Sequence, residues 1–300
     1  MDKLCTRDAL QHADYGTCAE AGRERTEPWI RAEITSVYSL TETEKLYRLK
    51  LLGEDARERF SFKPGQFLML EVPGIGQAPF SIASSPSING HLELCIRKAG
   101  ALTSFLARVS RGLQVGVSGP FGTSFPVKAM QGADILFIAG GLGIVPLRSA
   151  LLAVLENRNH YGSVDFLYGA KTPASLLFAG DHDSWRRSDA TLRFIVDHPG
   201  DNWSGPVGII TELLENLLTP ARPLEVNTFA IVCGPPVMFT AICDRLTAAG
   251  LPMHHMFVSL ERRMHCGQGK CCRCSIGSTY TCLDGPVFDY WSVMNLKEAI

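Results

Sequence analysis

Ile135-Leu136-Phe137-Ile138-Ala139-Gly140-Gly141-Leu142-Gly143-Ile144-Val145-Pro146 decides how this chain is read. Five apolar residues without alternation fit a strand buried on both faces, as in a parallel sheet. Three glycines in four positions then let the backbone turn sharply, and Leu147 to Leu155 has the pattern of a helix. Strand, glycine loop and helix together offer free backbone N–H groups and the positive end of a helix dipole to a phosphate. Gly-Gly-x-Gly-x-x-Pro is not the usual dinucleotide fingerprint, and a turn that merely needs glycine reads the same way. Gly140, Gly141, Gly143 and Pro146 are therefore candidates for binding a nucleotide, with a structural turn as the alternative.

Downstream, the same alternation continues. Val164 to Gly169, Leu192 to Val196 and Thr228 to Cys233 read as buried strands. Helical stretches from Ile209 to Leu218 and from Val237 to Ala249 fall between and after them. Strands alternating with helices predict a parallel α/β sheet over residues 126–260. Cys233-Gly234-Pro235-Pro236 is a second strand-to-helix turn, where a thiol can touch the flat face of a nicotinamide or serve as a buried core cysteine. Upstream, short alternating strands are spaced by Gly, Pro, Asn and Asp: Ile30 to Val37, Leu46 to Leu51, Phe67 to Val72 and His91 to Ile96. They predict an antiparallel β-barrel or sandwich over residues 28–125. Residues 1–27 read as a tail, and 261–300 as a small, loop-like, cysteine-rich domain.

The 300 residues carry 29 Lys and Arg against 30 Asp and Glu, a net charge of −1. That balance gives no reason to expect a nucleic acid or an anionic membrane as partner. The longest uncharged apolar run, Ile135 to Leu147, is interrupted by glycines and a proline, so no membrane span is expected. The polar N-terminal stretch does not read as a signal peptide, and a cytoplasmic location is expected.

Ten cysteines are unusual for such a chain, and half of them crowd into Cys266, Cys271, Cys272, Cys274 and Cys282. In a large chain expected in a reducing compartment, such clustering suggests metal rather than disulfides. Cys266, Cys271, Cys274 and Cys282 give C-x4-C-x2-C-x7-C, whose first two spacings are those of plant-type [2Fe–2S] ferredoxins. Gly267 and Gly269 let the loop fold tightly and aim N–H groups at sulfur. Arg262, Arg263, Lys270 and Arg273 partly offset the cluster's negative charge. Cys272 is surplus to this set. A four-thiolate zinc site is the alternative, although Cys282 lacks the neighbouring thiol of a zinc knuckle. Cys5, His12 and Cys18 in the tail match no ligand spacing, and the eight histidines read as ordinary surface or packing residues.

Seven short motifs occur in a fixed order: Pro64-Gly65-Gln66-Phe67, Ala78-Pro79-Phe80-Ser81-Ile82, Ile96-Arg97-Lys98-Ala99-Gly100-Ala101-Leu102-Thr103, Gly119-Pro120-Phe121-Gly122, the Gly140 loop, the Cys233 turn, and the cysteine cluster ending in Cys282 to Phe288. In this order the chain resembles ferredoxin-NADP reductase-like flavoproteins that end in a [2Fe–2S] domain. The group includes the electron-transfer subunit of dihydroorotate dehydrogenase, the flavin subunit of anaerobic sulfite reductase and the gamma (diaphorase) subunit of cytosolic NiFe hydrogenases. This chain is most similar to the last.

The resemblance implies FAD along Pro79, Phe80, Ser81 and Ile82, with Ser81 near the reactive edge of the ring. It implies that Ile96, Arg97, Gly100, Leu102 and Thr103 hold the ribityl and phosphate part. The Gly140 loop with Cys233, Gly234 and Pro235 would bind NAD(P)H, and Ser81 and Cys233 would surround the hydride transfer. Many relatives have Arg where this chain has Ala78, so Arg97 or Lys98 is expected to supply that charge. Lys171, Arg186 and Arg187 are candidate partners for the extra phosphate of NADP.

An NAD(P)H-to-flavin-to-cluster route follows, because a flavin handles electrons in pairs or singly. With no terminal catalyst visible in the sequence, the chain is expected to be one subunit of a redox complex, with NiFe hydrogenase subunits, one of them an iron–sulfur subunit, as partners. A rival reading is a zinc-stapled, non-enzymatic nucleotide-binding module.

Overall fold

Alternating apolar residues build the first half of the molecule. β1 (Ile30–Ser39), β2 (Glu44–Leu51), β3 (Phe67–Val72), β4 (Gly76–Ser81), β5 (His91–Arg97) and β6 (Gln114–Phe121) form one antiparallel sheet, in the order β4-β3-β6-β1-β2-β5. The computed structural model describes residues 29–296 apart from 54, 57–59, 89, 219–223 and 225–226; the expected tail cysteines Cys5 and Cys18, with His12, lie outside them. Ile34, Leu49, Leu68, Leu70, Leu94 and Val117 fill the interior of the sheet. Its two end strands meet just past β4, where the Ala83 N–H donates to the Glu93 carbonyl at 2.8 Å and the Ser84 hydroxyl accepts from the Glu93 N–H at 3.2 Å. The sheet thereby curls into a barrel, and α1 (Ala101–Leu106) packs Leu102 and Leu106 into the same core.

β4 and β6 do not show in the hydropathy pattern. β4 contains Pro79, tolerated because an edge strand needs no donor on its free side. β6 contains Gly116, where a Cβ would come within 3.0 Å of the Trp29 ring.

Continuous apolar runs build the second half. β7 (Asp134–Gly140), β8 (Val164–Ala170), β9 (Thr191–Val196), β10 (Thr228–Cys233) and β11 (Met256–Ser259) are parallel, in the order β9-β8-β7-β10-β11. The linking helices are α2 (Ile144–Leu155), α3 (His182–Arg187), α4 (Ile210–Leu217) and α5 (Pro236–Ala248). Ile135, Phe137 and Ala139 face one side with Leu147, Leu151 and Trp185, while Leu136 and Ile138 face the other with Leu214, Ile242 and Leu246. Each fully buried side chain of this size contributes about 1.5–3 kcal/mol, so both faces must be covered.

The cysteine-rich end is less separate than the sequence suggests. After a hairpin of β12 (Ser275–Ile276) and β13 (Thr279–Tyr280), β14 (Val287–Asp289) runs antiparallel to β11 and completes the sheet edge, followed by α6 (Tyr290–Val293). The Thr123 N–H donates to the Gly285 carbonyl at 2.6 Å, so the same segment is also tied to the end of the barrel. No helix among the described residues is long and apolar enough to cross a membrane.

Candidate functional site

From β7 the chain continues to β8 on one side, whereas β10 lies on the other. The crevice between the ends of β7 and β10 is thus a topological switch point, the place where open α/β sheets bind nucleotides. Both turns singled out from sequence lie there. A Cβ on Gly143 would sit 2.1 Å from the Cys233 carbonyl oxygen, and one on Gly140 would sit 2.3 Å from the Met238 sulfur. Gly234 is pressed against Met238 in the same way. These three glycines let the two turns interlock.

Gly141 differs. Its φ is +55° and nothing lies within 4 Å of its Cβ direction, so it is the glycine whose surroundings are open for a ligand to approach. Pro146 is buried in the first turn of α2, where a missing N–H costs no helix bond. The Tyr168 hydroxyl donates to the Gly141 carbonyl at 3.1 Å and accepts from the Leu177 N–H at 3.2 Å. Tyr168 thus braces the loop from β8, a role the sequence reading missed because the residue lies within an apolar strand.

The Cys233 thiol is buried and donates weakly to the Ser259 carbonyl at 3.7 Å. Burial pushes its pKa up, a nearby carboxylate of Glu261 pushing the same way. The thiol is neutral and packed in the core of the nucleotide half. Of the cations considered for a 2′-phosphate, Lys171 is exposed just past β8. Arg186 is paired with Asp183 at 2.9 Å and lies over Phe194.

On the barrel side, antiparallel pairing sets Ser81 opposite Phe67 and Pro79 opposite Met69, with Phe80 opposite Leu68 and Ala78 opposite Leu70. Ile82, Ile96 and Leu102 point into the barrel core, which leaves only their backbone to meet a cofactor. At the start of α1 the Thr103 hydroxyl accepts from the Ala99 and Gly100 N–H groups, both at 2.8 Å, and so fixes the turn. Arg97 pairs through Nε with Glu44, its cross-strand partner. Burial raises the Glu44 carboxyl, but hydrogen bonds from Thr41, Arg97 and Thr43 outweigh it and hold the pKa below the usual carboxylate value. Glu44 thus aims a half-exposed guanidinium whose terminal nitrogens make no hydrogen bond among the described residues. The sequence reading did not find Glu44, because cross-strand register is invisible before the sheet is known.

The cysteines come as two pairs. Cys274 and Cys282 Sγ atoms lie 3.2 Å apart, and Cys271 hydrogen-bonds Cys266. The Gly269 N–H donates to Cys282 Sγ at 3.0 Å and the Gln268 N–H to Cys266 Sγ at 3.4 Å. Gly269 has φ +70° and presses on Leu283; Gly267 has φ +69° and presses on Met69. A side chain at either position would open the loop. The Cys271 thiol is lowered to about 7, chiefly by the Arg273 N–H, with burial opposing and Cys266 adding to the effect. Burial and the Cys274 thiol push Cys282 up to about 12.

Among the described residues, no three His, Cys, Asp or Glu side chains converge as ligands of a single ion. Two thiol pairs with backbone N–H groups aimed at sulfur fit a two-iron cluster, in which each iron takes two thiolates. Cys272 turns the other way: its φ is +56° and its thiol meets the Tyr280 hydroxyl at 3.4 Å.

The cysteine loop is seated on the barrel. Cys274 and Cys282 share one apolar cluster with Phe67, Met69 and Phe121, the first two being the cross-strand partners of Ser81 and Pro79. Gln77 adds a hydrogen bond from Nε2 to the His265 carbonyl at 3.1 Å. The Pro79–Ser81 strand is therefore separated from two of the thiols by a single neighbouring strand.

Comparison with known proteins agrees with this layout. Residues 31–125 match the oxidoreductase FAD-binding domain, residues 137–244 the oxidoreductase NAD-binding domain, and residues 261–294 the iron–sulfur cluster binding domain of dihydroorotate dehydrogenase B. Sulfhydrogenase 1 subunit gamma of Pyrococcus furiosus is 40% identical over 88% of this chain and 92% of its own length. A probable dihydroorotate dehydrogenase B (NAD(+)) electron transfer subunit of Methanocaldococcus jannaschii is 32% identical over 76% of this chain and 80% of its own length. Among solved structures, an NADH-dependent reduced ferredoxin-NADP oxidoreductase superposes with a TM-score of 0.66 at 21% identity, covering 88% of this chain and 91% of the other. A ferredoxin NADP+ reductase from Neisseria gonorrhoeae gives 0.63 at 21% identity, over 77% and 97%. These two likenesses concern the fold.

Proposed function

This chain belongs to the ferredoxin-NADP reductase-like flavoproteins that bind FAD, NAD(P)H and an iron–sulfur cluster, alongside sulfhydrogenase gamma and dihydroorotate dehydrogenase B electron transfer subunits, and we propose that within that family it is the diaphorase subunit of a cytosolic NiFe hydrogenase. It is an NAD(P)H-dependent oxidoreductase subunit with an electron-transfer role. The observation that carries the electron-transfer role is the seat of the cysteine loop: Cys274 and Cys282 pack on Phe67 and Met69, directly across the ladder from Ser81 and Pro79. That contact joins the strand assigned to the flavin to the thiols assigned to the cluster.

Bound FAD supplies the conversion between paired electrons of a pyridine nucleotide and single electrons of an iron–sulfur cluster. The chain's own residues bind, orient and exclude water. Pro79 and Ser81 would hold the flavin ring, with Ser81 as the residue nearest its chemistry. Arg97, aimed by Glu44, meets the phosphate charge that Ala78 cannot, and Gly100 and Thr103 shape the turn beside it. The Gly140 loop and the turn of Cys233, Gly234 and Pro235 would hold the dinucleotide, the Cys233 thiol supporting that turn from the core. Cys266, Cys271, Cys274 and Cys282 hold the [2Fe–2S] cluster.

The hydrogenase assignment rests on the higher identity to the sulfhydrogenase gamma subunit than to the dihydroorotate dehydrogenase subunit. Purification of the tagged chain from its own cells, without oxygen, tests it. Co-purifying nickel and hydrogen-dependent reduction of NAD(P) are expected. A companion protein that oxidises dihydroorotate, or one that contains siroheme, would replace the hydrogenase reading with that of the corresponding relative.

A further inference from the structure

The helix that starts at the Gly140 loop is tied to the barrel at two points along its length. In its second turn Arg148, with a side chain only 8% exposed, reaches out of the nucleotide half. Nη1 donates to the Ala83 carbonyl and to Glu93 Oε2, both at 2.8 Å. Nε and Nη2 clasp Asp181 Oδ2 at 2.9 and 2.8 Å, and the guanidinium lies 4.8 Å from the Phe178 ring centre. Glu93 is held from its other side by Arg48 at 2.7 Å. Just past the end of α2, Glu156 Oε2 accepts from the Ser85 and Ser87 hydroxyls, both at 2.7 Å.

Ala83 is the residue after Ile82, so the guanidinium connects the helix behind the proposed dinucleotide loop to the end of the proposed flavin strand. Resting on those two site assignments, we propose that Arg148 is the positioning residue that sets the distance and angle between the dinucleotide and flavin sites.

The chemistry favours this role over simple packing. The barrel has a core of its own, and α2 buries Leu147, Ala150, Leu151 and Val154 in a second core that already takes in Leu46, Ala83 and Cys95 of the barrel, so apolar contact between the halves exists without Arg148. A buried cation adds little that an apolar side chain would not add to stability, but its fixed fork adds direction. Here the fork addresses a backbone carbonyl, a barrel carboxylate and a carboxylate of the nucleotide half at once. The two arginines and two carboxylates sum to zero charge, with Arg148 and Glu93 buried at the centre and Arg48 and Asp181 reaching solvent at either end. Misplacing reacting groups by about 1 Å costs about 100-fold in rate, which makes such a strut worth retaining.

The test compares Arg148→Met and Arg148→Lys with the wild-type holoprotein. Rapid-mixing reduction of the flavin by NAD(P)H should slow about 10- to 100-fold in Arg148→Met, with FAD and iron content kept and NAD(P)+ affinity changed by less than about 3-fold. Arg148→Lys should recover part of the rate. Independently of turnover, amide hydrogen exchange at Ala83, whose N–H is bound to the Glu93 carbonyl, should accelerate in Arg148→Met without nucleotide. An unchanged rate with unchanged exchange overturns the proposal. A parallel loss of nucleotide affinity and rate also overturns it, because that is what a merely structural residue gives. Should Arg148→Met fail to fold, Arg148→Lys and Glu156→Gln must show the slower reduction with affinity kept, or the proposal fails. Wild-type protein that binds no FAD would instead refute the site assignments, leaving the exchange result to stand for the strut alone.

Discussion

Two glycine-rich loops, Gly140–Gly143 and Gly267–Gly269, use the same residue for opposite ends. In the first, Gly140 and Gly143 are small because other parts of the protein press on them: the Met238 sulfur and the Cys233 backbone occupy the space a side chain would take. In the second, Gly267 and Gly269 lie at φ +69° and +70°, a backbone region that L side chains resist. There the conformation folds the loop around the thiols and directs the Gly269 N–H at the Cys282 sulfur. The first loop is an interlock between secondary structures, and the second is a cradle for a group. Neither glycine count nor crowding separates them, since a Cβ on Gly269 would meet Leu283 at 2.2 Å; the left-handed φ at both Gly267 and Gly269, with an N–H directed at sulfur, does.

The largest expected effect falls on the cradle. Cys274→Ala should remove essentially all cluster iron and acid-labile sulfide while FAD stays bound and reducible by NAD(P)H, with transfer to the partner stopped. Metal and sulfide analysis beside the visible spectrum checks this, and normal partner reduction would break the proposed route. On the interlock, Gly143→Val should cost at least about 1–3 kcal/mol, because the new side chain starts 2.1 Å from a carbonyl oxygen. Gly141→Ala meets no atom within 4 Å and should cost only about 1 kcal/mol for its left-handed φ, while weakening dinucleotide binding. Thermal unfolding with nucleotide titration distinguishes the two; equal destabilisation would erase the contrast drawn within this loop.

The strut between the halves adds a pH signature of intermediate size. Burial raises Glu93, but Arg148 and Arg48 outweigh it and hold its pKa below the usual 4.5. A carboxyl lowered in the folded state stabilises above that value, and its contribution is lost as pH falls through the lowered folded value. Glu93→Gln should therefore lower stability at pH 7 and flatten part of the acid limb of the unfolding curve, leaving the slope above pH 7 unchanged. The smallest effect is expected for Cys272→Ala. Its thiol faces Tyr280, outside the two pairs, so iron content should stay near that of the wild type; a large loss would exchange it for Cys271 in the ligand set.

Much of the architecture was legible because its signals are local. Continuous apolar runs announce the parallel strands, and the cysteine spacing announces the cradle before any contact is known. What escaped depends on partners distant in sequence. β4 is hidden by Pro79 and becomes a strand only at a sheet edge. β14 is three residues whose identity as a strand comes from β11 beside it. Glu44, Tyr168 and Arg148 look like ordinary strand or helix residues until register and packing bring them to Arg97, Gly141 and Ala83. Ile82, Ile96 and Leu102 show the converse: they belong to matching motifs, yet their side chains serve the barrel core.

The most direct test of the account is the cofactor content of protein purified without oxygen. One FAD, two irons and two acid-labile sulfides per chain, with a flavin that bleaches on addition of NAD(P)H, is the predicted result. A colourless protein holding a single zinc ion would contradict it.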